Sequence, residues 1–311
     1  MKSTSIILAV VVVLLAVGSL VLLNVDWSKP SASPETPRRM TAPIAETPAA
    51  ITDQQFTARL EQIRLQLGPE FRERIVIIKP FVVTGNQSAE DFDRICRRTI
   101  GWAVAMLSRD FFSTPVKQIV TIYLFRDSQS YQQYSWSLFG QKPSTPFGYY
   151  LPSQQALVMN ISTGTGTLVH EIVHPLLAAD FPQAPSWFDE GLASLYEQCR
   201  ERDGKIVGLL NWRLPVFQDG LQAGHLVPLE KLLATSRDEF YTDPHGMHYA
   251  QARYLCYYLQ EKNLLRKFYH QFRNNCAGDP IGKDTLLRIT GKSSLDQLQK
   301  EWLEFLAPLK Y

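Results

Sequence analysis

The chain has 311 residues, 45% of them apolar, and its 32 Lys and Arg nearly balance 30 Asp and Glu. With no basic run beyond Arg38-Arg39 and Arg97-Arg98, that balance excludes a dedicated nucleic-acid surface and leaves those pairs as solvated charge. Four widely spaced cysteines (Cys96, Cys199, Cys256, Cys276) form no CxxC pair, which excludes a zinc knuckle or a redox motif and fixes no disulfide pairing.

Ile6 to Leu23 is an apolar run interrupted only by Gly18 and Ser19, with Lys2 before it. Eighteen helical residues span roughly 27 Å, close to the hydrocarbon thickness of a bilayer. Ala16-Val17-Gly18 resembles a signal-peptidase site, but cleavage there would expose Leu20 to Leu23, and the run is longer than a usual signal core. The expectation is an uncleaved transmembrane anchor over residues 1–25, its short Lys2 end in the cytoplasm and the rest of the chain outside the membrane. Residues 26–50 shift to Pro, Ser, Thr and Ala, a composition that buries too little to order itself and reads as a tether.

Globular patterning begins at residue 51 and continues to 311. Residues 53–66 suit an amphipathic helix, and Ile75-Val76-Ile77-Ile78 followed by Phe81-Val82-Val83 reads as β structure ending at Gly85-Asn86. Ser88 and Asp91 form a capping signal for a long core helix reaching Phe112. Ile119 to Phe125 is a strand, Asp127 to Leu138 a helix, and 147–150 with 156–160 a hairpin whose second strand is a candidate sheet edge for an extended ligand. The sequons at Asn86 and Asn160 matter only on a eukaryotic secretory route. Gly164 and Gly166 lack the Lys-Ser/Thr pair of a phosphate loop, and lead instead into a helix that Thr165 or Thr167 can cap. Beyond Gly191 the pattern is helical (186–200, 226–235, 246–261, 263–275 and 293–307), with a hairpin at Asp203-Gly204. The expected architecture is α+β, with a small mixed sheet in the front half and a helical back half.

Chemistry concentrates in Thr167-Leu168-Val169-His170-Glu171-Ile172-Val173-His174 and in Ser186-Trp187-Phe188-Asp189-Glu190-Gly191-Leu192-Ala193. On a helix His170 and His174 project from one face, one turn apart, the spacing at which two imidazoles reach one tetrahedral metal, with Glu171 beside them as a base. A catalytic zinc needs a third protein ligand, and Glu190, sixteen residues after His174, is the available carboxylate. The apolar flanks Leu168, Val169, Ile172, Val173, Leu176 and Leu177 bury the first helix, and a short connection returns the second against it. Pro175 has no N–H to give the Glu171 carbonyl and its ring crowds that carbonyl, so the helix is expected to bend there.

This two-part pattern resembles the gluzincin metallopeptidases, the thermolysin and aminopeptidase N superfamily. Trp187 to Ala193 resembles the aminopeptidase form of the second motif, and 164–197 with Tyr249-Ala250-Gln251-Ala252 resembles a group of bacterial exported proteins with a thermolysin-like catalytic domain. The resemblance implies one Zn2+ held by His170, His174 and Glu190, Glu171 as catalytic base, and a peptide or protein substrate. It also implies a second donor to the developing oxyanion. Tyr249, fifty-nine residues beyond Glu190, stands at about the expected remove, with His245, His248 and His225 as competitors. Asp189 and Glu197 are candidates to orient the imidazoles. A Gly-x-Met-x-Asn segment is absent, so the resemblance does not extend to aminopeptidase specificity. The function expected is a membrane-anchored extracytoplasmic zinc endopeptidase; the alternative is a scaffold of the same fold that holds zinc without turnover.

Overall fold

The structure is a computed structural model and describes residues 51–143 and 145–311. The expected anchor and tether, 1–25 and 26–50, lie outside the described residues, among which no helix is long and apolar enough to cross a membrane.

Helix α1 (Asp53–Gln66), opened by a Thr52–Gln55 capping box, and the single turn α2 (Pro69–Arg72) precede a hairpin of β1 (Ile75–Ile78) and β2 (Phe81–Gly85). Ser88 then caps α3 (Ala89–Ile95), which passes through a π-helical turn over Cys96–Gly101 into α4 (Trp102–Asp110). After β3 (Val120–Phe125) and α5 (Ser128–Phe139), β4 (Gly148–Leu151) and β5 (Ala156–Asn160) complete a mixed sheet. Its order is β1-β2-β3-β5-β4, with β2, β3 and β5 parallel and the two outer strands antiparallel to their neighbours. The strand at 156–160 is therefore interior, paired on both sides. The outer strand on that side is β4, which corrects the expectation that 156–160 is the free edge.

Alternation divides the sheet into two buried faces. Val82, Tyr123, Phe125 and Val158 meet Phe56 and Ile63 of α1, Phe71 of α2 and Tyr131 of α5. Phe81, Val83, Ile122, Leu124, Leu157 and Met159 meet α3, α4 and α6 (Gly166–Asp180). From α6 the core receives Leu168, Ile172, Val173 and Leu176, each worth roughly 1.5–3 kcal/mol of apolar burial. The Asn of each sequon is buried: Asn160 donates to the Pro146 carbonyl, and Asn86 accepts from the Arg126 N–H.

The back half begins with α7 (Ser186–Leu195), shorter than the 186–200 expected because Cys199–Arg202 leaves the helix as β6 and pairs with β7 (Lys205–Gly208). Helices α8 (Arg213–Gln222), α9 (Leu229–Ala234), α10 (Arg237–Tyr241), α11 (Met247–Glu261), α12 (Leu265–Asn275), α13 (Lys283–Thr290) and α14 (Leu295–Leu306) follow. The hub is α11, buried from Ala250 to Gln260 and packed against α7, α8, α9, α12 and α14. Gly191 makes its closest approach possible: a Cβ there would lie 2.8 Å from the Ala252 carbonyl oxygen. The four cysteines are free thiols.

Candidate metal centre

The two motif helices pack together and bring His170, His174 and Glu190 to one place. His170 and His174 lie one turn apart on α6, ring centroids 4.9 Å from each other. Their Nε2 atoms stand 3.3 and 3.9 Å from Glu190 Oε2 on α7. One nitrogen from each histidine and one Glu190 oxygen all lie within 4.8 Å of one another, and the three could hold a metal ion. Glu190 is buried, yet its Oε2 has no hydrogen-bond partner among the described residues. A buried carboxylate oxygen without a donor is costly, and a cation between it and two imidazoles removes that cost. The donor set, two nitrogens and one oxygen, fits a divalent ion with an open fourth position.

Each imidazole has a carboxylate at its other nitrogen. His174 Nδ1 lies 2.8 Å from Asp189 Oδ1, a contact in which the Nδ1–H donates and Nε2 is turned inward. His170 Nδ1 stands 3.3 Å from Glu197 Oε1. Glu197 is fixed in turn by Arg213, whose Nε and Nη2 reach its two oxygens at 2.9 and 2.7 Å, and by Asn211 Nδ2 at 3.1 Å. Glu197 reaches the site because its carbonyl sits against the first turn of α6 at Gly166, where a Cβ would lie 2.3 Å from that oxygen. Thr165 occupies the N-cap but makes no side-chain capping bond, so neither threonine caps α6 as expected.

The electrostatics follow from this crowding. Burial disfavours the His174 imidazolium, but the Asp189 and Glu190 carboxylates outweigh it and raise its pKa to about 9. His170 is likewise held well above 6.5, burial being overcome by Glu190 and Glu197. Burial pushes Glu190 up, while His174, His170 and the Tyr241 hydroxyl outweigh it and hold the carboxyl below its ordinary value. Burial raises the Glu171 carboxyl above 4.5, opposed by the two histidines.

Helix α6 runs from Gly166 to Asp180 with Pro175 inside it. The proline ring is buried, and the helix ends on Asp180, which accepts from Ser113, Thr114, Tyr269 and Arg273. Those bonds anchor the end of α6 to α12 and to the segment after α4.

Of the candidate second donors, Tyr249 is beside the site. Its ring packs on Tyr241 and under the Arg213 guanidinium at 5.1 Å, and its hydroxyl makes no hydrogen bond among the described residues. Burial holds that hydroxyl protonated, reinforced by the charge of Glu190. His245 and His225 stack on each other at the surface, 4.5 Å apart, and His248 Nδ1 lies 3.4 Å from the Phe240 carbonyl; none of the three contacts the ligand set. Sequence reasoning missed Tyr241, Arg213 and Asn211. They stand outside both motifs, and only the fold brings them to carboxylates. No protein-family model matches the chain, and no curated protein matches it.

Proposed function

We propose that the chain is a zinc-dependent peptidase of gluzincin type, held outside the cytoplasmic membrane by its N-terminal apolar run. The observation that carries this reading is the Glu190 oxygen without a hydrogen-bond partner, facing two imidazoles, one of which is held at its outer nitrogen by Asp189. When bound, zinc supplies a Lewis acid and acidifies its water towards neutrality.

The remaining work falls to side chains. Glu171, on the helix that carries both imidazoles, accepts a proton from water and returns it to the leaving amine. Its raised pKa suits a group that must both take and release a proton near neutrality. Tyr249, protonated and without another partner, donates to the oxyanion. β4 is an outer strand of the sheet and packs beside α6, and an extended peptide could add there as a further strand. Such a site holds a chain by its backbone and leaves both ends free, which favours internal cleavage.

The test is Glu171→Gln in the full chain. The variant should bind zinc as the wild type does and lose roughly 100- to 10,000-fold in cleavage of an unstructured protein substrate. Undiminished turnover overturns the mechanism, and zinc binding without hydrolysis by the wild type favours the scaffold alternative.

A further inference from the structure

The Tyr241 hydroxyl donates to Glu190 Oε1 at 2.5 Å, across fifty-one residues of sequence. The other oxygen of the same carboxylate, Oε2, has no donor and faces both Nε2 atoms. The carboxylate is thus divided, one oxygen satisfied by the protein and the other left for an ion. We infer that Tyr241 is a positioning residue for the metal centre: its O–H holds Glu190 as a one-oxygen ligand and keeps the second oxygen away from the ion. This rests on the zinc-site reading and adds a role to it.

The local structure is built to present that hydroxyl. Helix α10 is little more than a turn, opened by a Ser236–Glu239 capping box, and Tyr241 is its last residue. Phe240 beside it is buried and anchors the turn, its ring 5.1 Å from that of Tyr249. The Arg237 guanidinium lies over the Tyr241 ring at 5.4 Å. A carboxylate with both oxygens free can turn and bind an ion through both, filling the position a catalytic site keeps open for water. A donor fixed on one oxygen prevents the turn. Tyr241 and Tyr249 are thereby separated in role: the first hydroxyl is committed to a ligand, the second is free to meet substrate.

Zinc affinity of the full chain, measured by competition with a fluorescent chelator, tests this. Tyr241→Phe keeps the ring and should weaken zinc binding by roughly 10- to 100-fold. The visible absorption bands of the Co2+-loaded variant should shift as the coordination number changes, whereas Tyr249→Phe should alter neither reading. In a Glu190→Ala background, Tyr241→Phe should cost no further zinc affinity, because its effect passes through that carboxylate. Wild-type affinity in Tyr241→Phe, or an equal additional loss in the Glu190→Ala background, overturns the positioning role and leaves the zinc site standing. A wild-type chain that takes up no zinc overturns both.

Discussion

At the scale of single residues, the site depends on how each imidazole is held, and nearby carboxylates do the holding. Asp189 is the clearer case, because one charge both holds His174 Nδ1 and joins Glu190 in raising the imidazole pKa to about 9. Asp189→Asn keeps an acceptor but removes the charge. In zinc-stripped protein the His174 titration, followed by NMR, should fall below that value. Zinc affinity of the same variant should drop by roughly 10- to 100-fold. The metal must displace protons held this firmly, so uptake at neutral pH should release protons, read as a binding enthalpy that varies with buffer. Much of this was legible in the sequence. His170, His174 and Glu190 were named from spacing, and Asp189 and Glu197 from being acidic nearby. Tyr241 was not, because a tyrosine one turn into a short helix carries no pattern that distinguishes it from a core residue.

Among elements, the pair α6 and α7 matters most, and Gly166 and Gly191 determine how close their neighbours come. Gly191 follows Glu190 directly and lets α7 lie against α11, so Gly191→Ala forces a Cβ to within 2.8 Å of the Ala252 carbonyl. Backbone against backbone cannot give cheaply. The substitution should destabilise the protein by about 1–3 kcal/mol in denaturant unfolding and weaken zinc binding by moving Glu190. Most helices and strands were readable from periodicity, including the hairpin at Asp203-Gly204 and the capping serine at Ser88. What was not readable came from partners distant in sequence. Residues 156–160 look the same as an inner or an outer strand, since apolar composition reports burial and not pairing. Pro175 lies inside α6, which continues to Asp180 among buried neighbours along its length.

At the scale of the whole molecule, the Asp180 cluster joins the sheet-bound half to the helical half. Its carboxylate receives the Thr114 N–H at 2.7 Å, the Tyr269 hydroxyl at 2.5 Å and the Arg273 guanidinium at 2.5 Å. Asp180→Ala strands those donors and should cost about 3–5 kcal/mol in chemical denaturation. Burial alone would raise the Asp180 carboxyl, but these partners hold it well below its ordinary 3.8. A lowered carboxylate pKa stabilises the fold above the ordinary value and loses that contribution as pH falls through the lower native one. Acid unfolding should therefore be steeper below pH 3.8 in the wild type than in Asp180→Ala, read by circular dichroism. The sheet, finally, is open at two margins with opposite requirements. On the proposed reading β4 must admit a guest strand, while β1, made of Ile75-Val76-Ile77-Ile78, must refuse a second copy of the chain. Two features limit self-association there: β1 offers only four residues, and it ends at Lys79-Pro80, where the proline has no N–H to extend a ladder.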